Sequence, residues 1–370
     1  MHGALTDYYI AVDGSPDWGA ATSNTTPCSL STWFANATAG CRGNIKAGTY
    51  TRTATDTVTA DGTAVSPIVM RGCDASWNPL SPSRAAGTRL LSDTNYPVIN
   101  YNGNYLLSAP AANYWSWQCL KITGLRQGPQ VDIGTYDYLY GLIIESNADN
   151  ASAGGIYTRI GNIIDNCDIA QTGANGAYAV YVQGANVRIC NTTVYDTAGI
   201  GVQIEAGTAI LDHVLIYGHT GYGITLNSSA GNFWHLTSTT IYGGKGVYCN
   251  VAFTSLSWFG VSHITDGGEY AFLNADATGS PIILSGVRTR DNTSGRISWV
   301  GDFVFDFGAI TTDTGGPETD FADYSAFDFH LLDGAAGEAA GPMGQDIGAI
   351  PSTDPAGGSG SKFIFGGVVR

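Results

Sequence analysis

Lys245, Arg288 and Arg290, with Asp266 and Asp291, are the residues whose types and spacing come nearest to a reaction. Eliminative cleavage of a uronate needs a cation to neutralise the carboxylate and a Lys or Arg to take up a proton. Asp266 and Asp291 would then be ligands for Ca2+, a hard cation that prefers carboxylate oxygens. The segment VRTRDN (287–292) also reads as a solvated edge with local ion pairs. That plainer reading is preferred, so no resident metal or cofactor is assigned. Hydrolysis of a glycosidic bond instead needs two carboxyl groups about 5–9.5 Å apart. The chain has neither an Asp-Asp dipeptide nor a Gly-His-Gly. His213, His235 and His263 are 22 and 28 residues apart and could stack. Lacking a Cys or His partner at metal-binding spacing, they read as turn or rim residues.

A second set suits binding rather than bond cleavage. Tyr195, Tyr217 and Tyr242 recur 22 and 25 residues apart. On successive turns of a coil they would form an aromatic stripe. Such a stripe could stack on sugar rings, pack against another subunit or lie beneath a loop.

What must position these residues is a repeat. TAGIGVQI (197–204), HTGYGITL (219–226) and YGGKGVYC (242–249) share Gly-x-Gly-apolar-x-apolar, with second glycines Gly201, Gly223 and Gly246. These glycines are expected at corners, where positive φ or close backbone approach is needed. An apolar column runs Ile169, Val194, Ile216, Ile241 and Ile264. Two residues before it stand Cys167, Thr192, Val214, Thr239 and Ser262, also expected to point inward. One further back, Asn166, Asn191, His213, Ser238 and Val261 fall at a bend, where Asn tolerates left-handed geometry. The column before Ile169 (Asp168, Thr193, Leu215, Thr240, His263) is expected to face outward and holds no adjacent carboxylates. Asp196 and Asp266 share a column three turns apart, roughly 14 Å, too far for a paired mechanism. Period-two alternation in strands rich in Val, Ile, Thr and Tyr, repeating every ~23 residues, predicts an all-β parallel solenoid of roughly twelve rungs.

The composition agrees. Of 370 residues 50 are Gly, nearly twice the usual ~7%, and charged residues are only 13%, about half the ordinary share. Sixteen Lys and Arg against 31 Asp and Glu give a net charge of −15, unlike a nucleic-acid-binding surface. No apolar run approaches the ~18 residues of a membrane helix, so no membrane insertion is expected. Seven cysteines, an odd number, leave at least one thiol free in a monomer. Cys28 and Cys41 could pair under oxidising conditions, but buried free thiols are the preferred reading. The chain divides into an irregular start (1–110), a regular coil (111–300), a closing segment (301–351) and a flexible linker with an apolar tail (352–370) containing Phe363, Ile364 and Phe365.

DYYIAVDGSPDWG (7–19), NIKAGTYT (44–51) and ADGTAVSPIVMRG (60–72) resemble the opening of right-handed parallel β-helix proteins of the pectate-lyase-like superfamily. FDFHLLDGAAGEAAGPMGQDIGAI (327–350) is similar to that group's closing segment, with Gly334-Ala335-Ala336 where Ser-Pro-Ala is usual. The resemblance implies a right-handed β-helix, and such helices often form homotrimers.

The leading functional expectation is a structural or glycan-contacting subunit of a bacteriophage virion: a decoration, fibre or spike protein. It rests on the unassigned catalytic set, the absence of a secretory signal in MHGALTDYYIAVDGS, the unpaired thiol and the tethered tail. The tail would tie the subunit to a neighbour or to other virion proteins, and the aromatic stripe would meet a surface polysaccharide. The protein would be made in the host cytoplasm and released by lysis. The alternatives are a secreted polysaccharide lyase or glycoside hydrolase and a non-catalytic surface adhesin or carbohydrate-binding solenoid.

Overall fold

A computed structural model describes residues 4–84, 91, 95–102, 107–125, 131–146, 154–172, 178–205, 207–227, 234–250, 257–260, 263–265, 270–274, 282–285, 288–290, 295–299, 304–307, 312–313, 321–323 and 328–331. The chain is a parallel β-helix. Each turn lays one strand in each of three sheets, holding 12, 11 and 10 strands in the order in which a turn visits them. The first complete turn uses Cys41–Lys46, Thr49–Arg52 and Asp56–Thr57, and the last uses Ile282–Ser285, Arg288–Arg290 and Gly295–Trp299. Among the described residues the ten strands of the third sheet mark ten complete turns, against the roughly twelve expected. The even division by ~23 ignored the long insertions in the early turns.

The corner between the first and second sheets is two residues long. Its first residue is left-handed in six consecutive turns, at Cys119, Gly141, Asn166, Asn191, His213 and Ser238, with φ between 46° and 63°. The first five of these, Cys119 to His213, donate their N–H to the carbonyl before the next turn's corner, as in Asn166 to Cys190 (3.0 Å) and Asn191 to Asp212 (3.0 Å). The corner thus satisfies its own backbone and keeps the turns in step. The second corner residue points inward, and Cys167, Thr192, Val214 and Thr239 are all buried, as expected.

The register of the second sheet confirms the apolar column: Ile169 pairs with Val194, Val194 with Ile216, Ile216 with Ile241 and Ile241 with Ile264. Ile169, Val194 and Ile216 are wholly buried. Gly201, Gly223 and Gly246 lie not at left-handed corners but at the second position of third-sheet strands, and none has positive φ. What requires glycine is crowding: a Cβ on Gly223 would lie 2.5 Å from Ile241 Cγ2, and one on Gly246 2.1 Å from the Ala271 carbonyl oxygen.

One outward column is not open to solvent. The column of Asp168, Thr193, Leu215 and Thr240 does lie on the outer side of the second sheet, but none of the four is more than 2% exposed. Part of the cover is the insertion between the strands Ile68–Cys73 and Val98–Tyr101. Arg84 from that insertion donates to Asn166 Oδ1 (2.7 Å), Asp168 Oδ1 (2.9 Å) and the Asn191 carbonyl (2.8 Å), and the Leu91 N–H donates to Asp168 Oδ2. Leu91 and Tyr96 pack there with Cys119 and Ile143. Sequence alternation marks the two sides of a strand but not whether a distant segment covers the outer one.

All seven cysteines are buried free thiols, so Cys28 and Cys41 do not pair. His213 sits at the left-handed corner, His235 in the first sheet opposite Ile210 and His263 in the second sheet opposite Thr240. They occupy three different columns and do not stack. At the N-terminal end, helix Leu30–Asn36 seats Leu30, Trp33 and Phe34 in the core, with Trp33 edge-on to Trp115 at 6.2 Å, and so covers the first turn. Near the other end, Phe321–Asp323 and Asp328–Leu331 pair antiparallel.

Ile216→Ala should cost ~2–5 kcal/mol, read as a drop in urea midpoint. Arg84→Ala should cost ~3–5 kcal/mol, because it leaves the Asp168 carboxylate buried without its counter-ion. Urea melting of the double variant Arg84→Met/Asp168→Leu tests the cause, since it should recover most of that loss.

Candidate functional site

The outer side of the third sheet carries the densest chemistry that remains accessible. Its register aligns Asp132, Tyr157, Tyr181, Gln203, Thr225 and Tyr248 in one column across six turns. A second column aligns Tyr178, Ile200, Tyr222 and Lys245. Third-sheet strands turn two successive residues inward near their start, Ala179 and Val180 in one turn. Both Tyr178 and Tyr181 can therefore stand on the outside of the same strand.

The tyrosines form two groups. Tyr157 and Tyr181 stack at 4.4 Å, Tyr178 lies 4.7 Å from Tyr181, and the Tyr178 hydroxyl donates to the Tyr157 oxygen at 3.1 Å. Tyr222 and Tyr248 stack at 4.5 Å, with Lys245 Nζ 5.0 Å from the Tyr222 ring centre. Between the groups lies a polar interval. Glu205 Oε2 accepts from Gln203 Nε2 (2.9 Å) and from Asn227 Nδ2 (3.2 Å). The register sets Tyr178 and Tyr222 two turns apart, about 10 Å. Tyr181 stacks toward the preceding turn and Tyr222 toward the following one, so the interval is a slot with an aromatic wall at each end. Burial first, and then Glu205, push the Tyr181 phenol up to about 12, which keeps its hydroxyl a donor at neutral pH.

His219 lies just beneath. Its Nε2 is 2.9 Å from the Lys245 carbonyl oxygen, its Nδ1 has no partner, and the side chain is 4% exposed. Burial lowers its pKa to about 4, so the ring is neutral and donates to that carbonyl from Nε2. The ring fills space left by glycine: a Cβ on Gly244 would lie 2.6 Å from His219 Cδ2.

Of the residues singled out in the sequence, Lys245 is on this face, at the edge of the second tyrosine group. Arg288 and Arg290 lie on a second-sheet strand, in register with His263 and Thr265, and their side chains fall outside the described residues, as do Asp266 and Asp291. Tyr195, Tyr217 and Tyr242 align on the second sheet as expected, with Tyr195 and Tyr217 stacked at 5.8 Å. Tyr217 is only 3% exposed, however, so the middle of the stripe is covered. Phe363, Ile364 and Phe365 lie outside the described residues. Asp132, bound to Arg159 at 3.0 Å, and Glu205 are the described carboxylates of this face. They are at least three turns apart, roughly 14 Å, and cannot work as a pair. No group of three or more His, Cys, Asp or Glu able to hold a metal occurs among the described residues.

Sequence reading missed Tyr157, Tyr178, Tyr181, Tyr222, Tyr248, Gln203 and Glu205. Their signal was present in YAVYV (178–182), YGITL (222–226) and KGVYC (245–249), where a polar or aromatic residue recurs three places after another. That spacing breaks strict alternation and so was not read as one face.

A family model described as "Right handed beta helix region" matches residues 121–243. Among solved structures, pectate lyase Pel9A superposes with a TM-score of 0.61 at 14% identity, over 95% of this chain and 97% of that one. A rhamnogalacturonan lyase aligns over 90% of this chain and 95% of that one, at 12% identity and a TM-score of 0.43. Identities this low show the fold alone. A search of curated proteins finds no match.

The buried neutral His219 predicts a pH dependence. Its folded pKa lies below the ordinary 6.5, so the unfolded chain binds the proton more readily. The stability held by the neutral ring is complete above about pH 6.5 and is lost as pH falls toward 4. At the lower limit the loss is about 3 kcal/mol. His219→Gln, which keeps a donor for the Lys245 carbonyl, should show a smaller fall in melting temperature between pH 7 and pH 4.5 than the parent chain.

Proposed function

We propose that the protein binds a polysaccharide along the outer face of the third sheet, with one sugar ring held in the slot between Tyr181 and Tyr222. The slot itself carries the reading. The two walls stand on strands two turns apart, about 10 Å along the axis, which leaves room for a sugar ring between them. Glu205, Gln203 and Asn227 then offer acceptors and donors to sugar hydroxyls. The polysaccharide would run along the rod, because the tyrosine groups are spread along its axis.

The setting follows the sequence expectation: a β-helix subunit of a bacteriophage virion, with this face contacting a host surface polysaccharide. A trimer and a tethered tail belong to the same proposal. A second reading is a secreted polysaccharide lyase with Lys245 as the base. The place of Lys245 at the slot's far wall favours it, and the fold shared with a pectate lyase is compatible with it.

Affinity electrophoresis against a panel of bacterial surface polysaccharides tests the binding. Tyr181→Ala and Tyr222→Ala should each weaken the bound partner roughly tenfold or more, about 1.4 kcal/mol, at unchanged melting temperature. Unaltered binding in both variants would sink the proposal. An unsaturated product absorbing near 235 nm, lost in Lys245→Ala, would replace it with the lyase reading.

A further inference from the structure

At the N-terminal end of the first sheet, on a different face of the rod, is an open cleft of about 410 Å³. Its lining includes Arg42, Arg71, Ser116, Gln118, Tyr136 and Tyr138. The register brings these together: Arg42 pairs with Val69 and Val69 with Ser116, and beside them Asn44 pairs with Arg71 and Arg71 with Gln118. None of these residues belongs to the tyrosine slot.

The charges here do not balance. Arg42 grips Asp7 with two parallel hydrogen bonds of 2.7 Å, which use both oxygens of that carboxylate. Asn44 donates to Asp7 at 2.8 Å and accepts from Arg71 Nε at 2.6 Å, so its amide orientation is fixed from both sides. The Arg42 hydrogen bond holds the Asp7 carboxyl below its usual range. Arg71 is left over. Its nearest Nη is 4.0 Å from Asp7, its Nη hydrogens have no hydrogen-bond partner among the described residues, and the side chain is 26% exposed. Asp165 shares its column but is three turns away, roughly 14 Å. In a chain of net charge −15, two guanidinium groups here share the single Asp7 carboxylate, and Arg71 is the more distant of the two.

The wall beside it is aromatic and built at some conformational cost. Tyr114 and Tyr136 stack at 5.0 Å, and Tyr136 is 50% exposed. Both have positive φ, 58° and 60°, as do Gly161 and Asn186 at the same position in the next two turns, so the wall stands on a recurring left-handed corner between the third and first sheets. On the floor, Gln118 Nε2 donates to Ser116 Oγ at 2.8 Å, which leaves the Gln118 carbonyl oxygen to accept and the Ser116 hydroxyl to donate.

We infer that this cleft binds an acidic sugar: a carboxylate on the Arg71 fork, a sugar ring against the Tyr136 face, and hydroxyls on Gln118 and Ser116. A guanidinium matches a carboxylate in two parallel hydrogen bonds, which a lysine cannot do. The aromatic wall takes the C–H face of the ring, and the polar floor separates a sugar from a plain aromatic acid.

Calorimetric titration of the full chain with a short glucuronic acid oligomer tests this, with the matched glucose oligomer, benzoate and inorganic phosphate as controls. The uronate oligomer should bind at least tenfold tighter than all three. Arg71→Ala should abolish binding, Arg71→Lys should weaken it about tenfold, and Tyr136→Ala should weaken it at unchanged melting temperature. Tyr181→Ala and Tyr222→Ala should leave it unchanged, which separates this cleft from the slot. If Arg71→Ala melts early, Arg71→Lys and Tyr136→Ala decide. Equal binding of glucose oligomer, benzoate or phosphate, undetectable uronate binding, or uronate binding that survives both Arg71→Lys and Tyr136→Ala would overturn the inference.

Discussion

Everything in this molecule hangs on the two-residue corner between the first and second sheets. A turn of coil can stack on its neighbour only if each backbone N–H and C=O finds a partner one turn away. A two-residue bend meets that demand only with its first residue left-handed. Asn166, Asn191 and His213 accept this geometry, Gly141 does so without strain, and Cys119 and Ser238 are held in it by their neighbours. Because the corner has no spare residue, no turn can slip against the next. Columns of like residues follow, from the interior Ile169–Ile264 row to the exterior tyrosines of the third sheet.

That rigidity lets a scaffold so poor in charge present local chemistry. A β-helix places outward side chains on a lattice of about 4.8 Å along the axis. Two residues chosen two turns apart are therefore separated by a distance that needs no loop to maintain it. The Tyr181–Tyr222 slot and the Arg71 cleft both use this property, on different faces. The second sheet uses its outer face differently, accepting an inserted segment whose Arg84 and Leu91 close over Asp168.

Buried polar groups mark where the scaffold is least forgiving. Asp137, beneath the wall of the Arg71 cleft, accepts from the N–H groups of Trp115 and Gly134, yet burial still pushes its carboxyl up to about 8. His219 lies under Lys245 and the tyrosine slot with one nitrogen unpartnered. Each sits directly beneath a face proposed here to bind sugar. Small shifts in those faces would be felt by groups that have no water to turn to.

The sequence by itself determined the coil. The spacing of Ile169, Val194, Ile216 and Ile241, the polar corner residues before them and the recurring glycines all report on contacts between neighbouring turns, whose chemistry is local and periodic. It also aligned Tyr195 with Tyr217. Only the tertiary structure decided which outward columns stay open. Asp168 and Tyr217 are outward by alternation and buried in fact, and over Asp168 the cover comes from Arg84 and Leu91, far away in the chain. The paired inward step of the third-sheet strands, which sets Tyr178 and Tyr181 on one face with Ala179 and Val180 both buried between them, likewise departs from any period of two. The Arg71 cleft assembles residues from Asp7 to Tyr138, and no sequence period relates an arginine to a wall supplied from two turns further on.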